Sequence, residues 1–435
     1  MAEIVELQLT AMAHGGSALG RAPLVSARPG QSPSDPGQDS RDETRSGHVV
    51  FVPYAIPGET VRVEILEAHK RWAQARLLDV LEPSPHRVEP PCPHYGAGKC
   101  GGCHFQHIDY EAQAEFKRDI VVDQLGRVGG LVGVNVRDII GAAEPWGYRN
   151  HVQFSLTRDG RLGFLTADTH DVVPVQECLL LEPLLDELWT ALDMEWPQLH
   201  RLSLRCGSAT GDLMAIFELD HYEDFDIEVD FPVSCVLLLA DGEVAVLMGN
   251  PHLEEHVAGR VYRVSAGSFF QVNTGGAEAL VSLVHGYLAP TGNETLVDLY
   301  CGVGLFGLAL ADRVGRVIGV EADPSAVEDF RHNARGLDRV HLVEGPAKAS
   351  LPRVEGAVDL LVLDPPRSGA GRRVVDEIKR LAPRRIAYVS CDPATLSRDA
   401  RYLTEAGFHL EEVQPVDLFP QTYHVEAVAL FVPEL

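Results

Sequence analysis

The chain is short of positive charge. Its 37 lysines and arginines stand against 63 aspartates and glutamates, a formal net charge of −26 over 435 residues. Such a field repels polyanions, so a nucleic-acid partner would have to be gripped by a local basic face and not by overall charge. Long apolar runs are missing too. No uninterrupted stretch reaches the length that spans a bilayer, and the N-terminus MAEIVELQLT carries acids where an export signal carries bases. A cytoplasmic location with no membrane partner is expected. Cysteine is sparse: Cys92, Cys100, Cys103, Cys178, Cys206, Cys235, Cys301 and Cys391 make up the whole set. Disulfides are not expected in a cytosolic chain of this length, so clustered cysteines read as metal ligands and isolated ones as core thiols or nucleophiles.

At this length one ordinary core does not suffice, and two or three domains are expected. Between Val5 and Leu81, short runs of alternating apolar and polar residues (VELQLTAM, HVVFVPYA, TVRVEIL, ARLLDVL) predict a small β-barrel over residues 1–85. The nearly apolar-free run from Ser26 to Gly47 reads as a mobile loop inserted in it. Residues 86–262 predict a central domain, with a helix over Tyr110–Val128, mostly β patterns from Tyr148 to Val264 and one helix near Leu184–Met194. In 263–435 strands and helices alternate. A helix at 275–288, a strand at 295–300, a helix at 306–311 and strands at 316–320, 340–343, 358–363 and 385–390 predict βαβ units in a doubly wound parallel sheet.

The stretch TLVDLYCGVGLFGLALA, Thr295 to Ala311, anchors the chemistry. A buried strand, a glycine turn through Gly302, Gly304 and Gly307 and an apolar helix in immediate succession form the crevice in which open α/β sheets bind nucleotide-like ligands. Glu321 ends the following strand, nineteen residues after Gly302, where a carboxylate can accept from ribose hydroxyls. Nicotinamide and S-adenosyl-L-methionine both fit so far. The next strand end, Asp364-Pro365-Pro366-Arg367, turns the reading toward a methyltransferase. Cys391 ends another strand on the same edge, before a helix whose N-terminal dipole favours a thiolate. A methyl donor and a cysteine suggest thiolate attack at uracil C6, which makes C5 nucleophilic; a base must later remove the C5 proton, and Glu426 is the candidate. The group Cys92, Cys100 and Cys103, in a glycine-rich loop, is a metal-ligand pattern with Cys178 as fourth donor, and four thiolates suit zinc or an iron–sulfur centre alike.

Five motifs together resemble the bacterial S-adenosylmethionine-dependent RNA uracil-5-methyltransferase family: Ser268-Phe-Phe-Gln-Val-Asn273, Asp298-Leu-Tyr-Cys-Gly-Val-Gly304, Asp364-Pro-Pro-Arg-Ser-Gly369, Ser390-Cys-Asp-Pro393 and His424-Val-Glu426. The resemblance implies a Rossmann-like class I methyltransferase domain, an N-terminal TRAM barrel that binds RNA and a mostly β central domain. It assigns Cys391 as nucleophile and Glu426 as general base. Cofactor contacts fall on Gln271, Tyr300, Glu321 and Asp364, beside Gly302 and Gly304 of the turn. It also implies a 4Fe-4S cluster on Cys92, Cys100, Cys103 and Cys178. Barrel and cluster together resemble the members acting on 23S ribosomal RNA more than those acting on uridine 54 of transfer RNA. The protein is expected to work as a monomer. A non-catalytic RNA-binding protein on a retained fold and a nicotinamide oxidoreductase are the readings from other classes. For RNA, the basic-aromatic cluster Lys70, Arg71 and Trp72, the central Arg149 with His151, and Phe269 beside Phe270 are the expected contacts.

Overall fold

A computed structural model describes residues 3–23, 47–167, 169, 171–192, 199–220 and 228–434. The expected insertion falls outside them except for Gly47, as does the end of the helix expected to reach Met194. At the N-terminus, strands Ile4–Met12, Ala18–Ala22, His48–Val52, Thr60–Ala68 and Trp72–Glu82 close into a barrel in the order first, second, third, fifth, fourth. Alternation along each strand turns Leu7, Leu9, Val50, Val52, Val61, Val63, Ala73 and Ala75 inward, so the period of two in the sequence becomes the barrel core.

In the middle of the chain a seven-stranded sheet runs from Val244–Met248 through Ser234–Leu239, Leu213–Leu219, Arg201–Cys206, His151–Leu156 and Leu162–Leu165 to Val172–Pro174. The helix Pro183–Ala191 covers one face with Leu185, Leu188 and Trp189. The C-terminal sheet has eight strands, in the order Val340–Glu344, Arg316–Glu321, Thr295–Leu299, Leu360–Leu363, Arg385–Ser390, Glu426–Pro433, Phe408–Val416 and Asn135–Val136. Its first five strands are parallel, and the four after the edge strand Val340–Glu344 are buried on both faces, which is why they read as largely apolar runs. Strand order reverses between Thr295–Leu299 and its neighbour Leu360–Leu363, and such a switch point opens a crevice at the strands' C-terminal ends. Among the described residues no helix is long and apolar enough to cross a membrane.

The segment after the barrel lies with the middle part in sequence but with the C-terminal sheet in space. Asp109 caps the helix Tyr110–Gln124 by accepting from Ala112 N–H, and the strand Asn135–Val136 adds to the sheet edge beside Phe408–Val416. The join is polar. The Lys117 ammonium donates to Asp417 at 2.6 Å and to the Phe419 carbonyl at 3.0 Å, and both side chains of the ion pair are wholly buried. Gln113 and Gln421 exchange a side-chain bond of 2.9 Å and a side-chain-to-backbone bond of 3.0 Å next to it. Burial pulls the Lys117 pKa down while Asp417 opposes it. Removing one partner of such a pair leaves a buried charge uncompensated. Lys117→Met is expected to cost about 3–5 kcal/mol of stability in urea unfolding, and Lys117→Met with Asp417→Leu to recover most of it. An unchanged midpoint in the single variant would show that the pair is not sealed from water.

Candidate active site

The strand Glu426–Pro433 runs antiparallel to Arg385–Ser390 with Ser390 opposite Ala427, so the register carries Glu426 to the position opposite Cys391. Because the partner strand points the other way, the start of one meets the end of the other on the sheet edge where Asp364 follows Leu363. Three residues far apart in sequence therefore share one place. Their mutual influence confirms it: burial, then Glu426, then Asp364 push the Cys391 thiol up to about 12, with Arg367 opposing. Burial among carboxylates thus opposes the thiolate that the helix terminus was expected to favour. Burial and Asp364 raise the Glu426 carboxyl well above its ordinary value, and burial raises Asp364 to about 7. Burial, with Arg367 next, lowers the neighbouring His424 to about 3.

On the near side of the switch point the glycine loop takes up the conformation its residues allow. Tyr300 has φ 63°, Gly302 55° and Gly304 103°, and a side chain on Gly304 would meet Leu308 at 2.4 Å. Glu321 is fixed by accepting from the backbone N–H groups of Gly302 at 2.8 Å, Ala322 at 2.6 Å and Asp323 at 2.8 Å. Tyr300 and Glu321 line a cavity of about 540 Å³ that Lys348, Arg372 and Arg373 border as well. Gln271 and Asp364 lie in a hydrogen bond of 3.4 Å, away from that cavity's lining. One acid in the glycine motif had no role in the sequence reading. Asp298 accepts from Gly307 N–H at 2.7 Å, burial lifts it to about 7, and its Oδ1 has no partner among the described residues. The signal was available in its place at the head of the motif. Asp399, which accepts from Ala370 N–H, Gly371 N–H and the Tyr388 hydroxyl and so shapes the loop after Asp364, carried no such signal. Cys301 is a buried core thiol, as are Cys206 and Cys235.

The structure brings Cys92, Cys100, Cys103 and Cys178 to the walls of one cavity of about 50 Å³, together with His94, Tyr95, Gln106 and Arg149. Gly101 N–H donates to the Leu165 carbonyl at 2.9 Å, which ties the cysteine loop to the central sheet, and a side chain there would meet Ala167 N at 2.7 Å. Burial pushes Cys100 up to about 11 and Cys103 to about 12, and raises Cys178. Among the described residues no three His, Cys, Asp or Glu side chains stand close enough to hold a metal ion as they are. The donor set and a shared cavity fit a sulfur-ligated group; closed ligating geometry is not present.

Of the expected RNA contacts, Lys70, Arg71 and Trp72 are exposed at the turn between the last two barrel strands, with the indole stacked on His69 at 3.9 Å. Phe269 is 68% exposed, whereas Phe270 packs into the core against Tyr262. Arg149 is half-buried and lines the cysteine cavity. His151 is half-buried, and burial, with Arg205 and then Arg149 adding to it, pulls its pKa well down.

Three family models match the chain. The tRNA (uracil-5-)-methyltransferase family covers residues 354–432, a methyltransferase domain 296–383 and the TRAM domain 37–78. A Streptomyces avermitilis protein described as an uncharacterized RNA methyltransferase is 36% identical over 100% of this chain and 99% of its own. One of the same description from Thermosynechococcus vestitus is 36% identical over 98% and 97%. The solved tRNA (uracil-54, C5)-methyltransferase of Pyrococcus abyssi, in complex with S-adenosyl-L-homocysteine, is 27% identical and aligns over 89% of this chain and 97% of its own, with a TM-score of 0.70. With these relatives matching it nearly end to end, and with a closed N-terminal barrel on a class I methyltransferase sheet, the chain belongs to the S-adenosylmethionine-dependent RNA uracil-5-methyltransferase family with a TRAM domain.

Proposed function

We propose that the protein methylates C5 of a uridine in RNA through a covalent adduct at C6, with Cys391 as nucleophile and Glu426 as general base. The observation that carries this reading is the register that sets Glu426 opposite Cys391, with Asp364 beside both. Bound in the crevice, S-adenosyl-L-methionine supplies an electrophilic methyl group. Tyr300 and Glu321 in the large cavity, Gly302 and Gly304 in the turn, and Gln271 with Asp364 at the next strand end are the residues proposed to hold it. Cys391 must first lose its proton, and Asp364 is the acceptor beside it, which leaves Glu426 free to act as the later base. The sulfur then bonds to C6 of the uracil, the C5–C6 electron pair moves to an enolate, and C5 takes the methyl group. Glu426 removes the C5 proton, the C5–C6 double bond re-forms and the Cys391 sulfur leaves as thiolate. A carboxyl whose pKa is raised by burial is the stronger base for that step. Lys70, Arg71 and Trp72 on the barrel are proposed to grip the RNA and Phe269 to face the unstacked base.

The substrate proposed is 23S ribosomal RNA. Transfer RNA uridine 54 is the second reading, favoured by the Pyrococcus abyssi enzyme. In cells lacking the gene, mass mapping should show loss of a 5-methyluridine in 23S ribosomal RNA, restored by the wild-type protein but not by Cys391→Ala. Loss confined to transfer RNA would overturn the substrate, and restoration by Cys391→Ala the mechanism.

Glu426→Gln is expected to permit attack and methylation yet stall release, so that a methylated protein–RNA adduct accumulates on denaturing gels. A variant that binds RNA normally and forms no adduct would assign Glu426 another role.

We also propose that Cys92, Cys100, Cys103 and Cys178 hold a 4Fe-4S cluster. Four thiols around a cavity of about 50 Å³ support it, since a single ion enclosed by its own ligands needs no such space. Its role would be to brace the cysteine loop against the central sheet. Protein purified without oxygen should be brown, with about four irons per chain; colourless protein with one zinc per chain would reject the assignment.

A further inference from the structure

We propose that the turn joining the first two barrel strands belongs to the catalytic apparatus, with His14 acting as a positioning residue for the nucleophile through Asp392. This rests on Cys391 being the nucleophile. The turn Ala13–Ser17 is closed by Ala13 N–H donating to the Ser17 carbonyl at 2.9 Å and Gly16 N–H to the Ala13 carbonyl at 3.0 Å. Its base is rigid: Met12, at the end of the first strand, packs with Ile56, Phe105, Ile108, Ala112 and Ile120. From this turn His14 Nε2 reaches to 3.3 Å from Asp392 Oδ2.

Asp392 follows Cys391 directly, and its two carboxylate oxygens have different duties. Oδ1 accepts from Thr395 N–H at 2.8 Å and so caps the helix Pro393–Glu405. Oδ2 faces the barrel. Among the described residues the other side-chain bonds of Ser390, Asp392 and Thr395 run within the turn itself, through Ser390 Oγ and the Asp392 backbone. His14 is thus the tie from the nucleophile's turn to the RNA-binding domain. A second contact points the same way. Gly16 has φ +83°, and Tyr423 carbons lie 3.0 Å from where its Cβ would be, so the bare turn lies flat against the residue three places before Glu426. Tyr423 in turn packs on His424, with ring centroids 4.3 Å apart, and on His104 at 4.5 Å.

One short turn of the barrel therefore touches the approaches to both Cys391 and Glu426. Attack at C6 is sensitive to displacements of less than an ångström, so a link that fixes the turn after the sulfur acts on the rate of attack more than on RNA affinity. The barrel then does two things at once: it grips RNA, and it holds the nucleophile in register with the gripped strand.

The test uses the full-length protein and a mixture of unmodified 23S ribosomal and transfer RNA transcripts carrying 5-fluorouridine, whose C5 fluorine blocks the final elimination and traps the adduct. His14→Ala should slow single-turnover adduct formation about tenfold while RNA affinity stays within about twofold. His14→Gln, which keeps a donor, should restore most of the rate. Asp392→Asn keeps the helix cap, and adding His14→Ala to it should cost little more, because the two act through one link. Wild-type rates in His14→Ala, a loss explained wholly by RNA affinity, or additive effects in the double variant would overturn the proposal. Cys391→Ala is run alongside: an adduct there rejects the nucleophile and this inference with it, whereas an inert Cys391→Ala beside an unimpaired His14→Ala rejects this inference alone.

Discussion

The arrangement depends on one strand register. Glu426–Pro433 enters the parallel sheet in the opposite sense and pairs Ala427 with Ser390, and from that pairing alone Glu426 arrives opposite Cys391. A shift by one residue would turn the carboxyl to the other face of the sheet. The register is held from both sides, since the same strand pairs along nearly its whole length with Phe408–Val416, and the two cores packed on the sheet faces bury its alternating Ala427, Val428, Ala429, Leu430 and Phe431.

What that register assembles is electrostatically unfavourable in the unliganded protein. Glu426 and Asp364 sit in one buried place with the Cys391 thiol, and each disfavours the charged form of its neighbours. Arg367 is the cation among the largest influences on Cys391. Burial raises all three groups, and carboxylate neighbours add to it at Cys391 and Glu426, so such a site is expensive to build. Asp298 adds a further buried carboxyl behind the glycine loop, raised chiefly by burial and less by Asp364 and Glu321.

The barrel, the cysteine loop and the C-terminal sheet are joined by polar contacts as well as by the apolar cluster of Met12, Ile56, Phe105, Ile108, Ala112 and Ile120, against which Tyr423 packs. Lys117 with Asp417, Gln113 with Gln421, and His14 with Asp392 all bridge parts of the chain that a linear division would separate. Polar joints of this kind fix direction and register where an apolar face would only supply adhesion. In an RNA methyltransferase, which must hold RNA and methyl donor in a common frame, that property is useful.

The sequence alone determined the barrel through its period of two, the parallel strands through their unbroken apolar runs, and the cofactor crevice through Gly302, Gly304 and Glu321, because each of these is a local pattern with a local physical cause. Motif resemblance added roles for Cys391 and Glu426 that spacing could not, and the structure then set the two side by side. Other features were hidden. Arg149 looked like an RNA contact and also lines the cysteine cavity; Cys391 looked activated by its helix, while burial first and then Glu426 and Asp364 push its thiol up; His14 carried no mark at all. In each case the deciding neighbour lies on another element, tens to hundreds of residues away, and burial and charge are properties of that assembled neighbourhood and not of the segment that contributes the side chain.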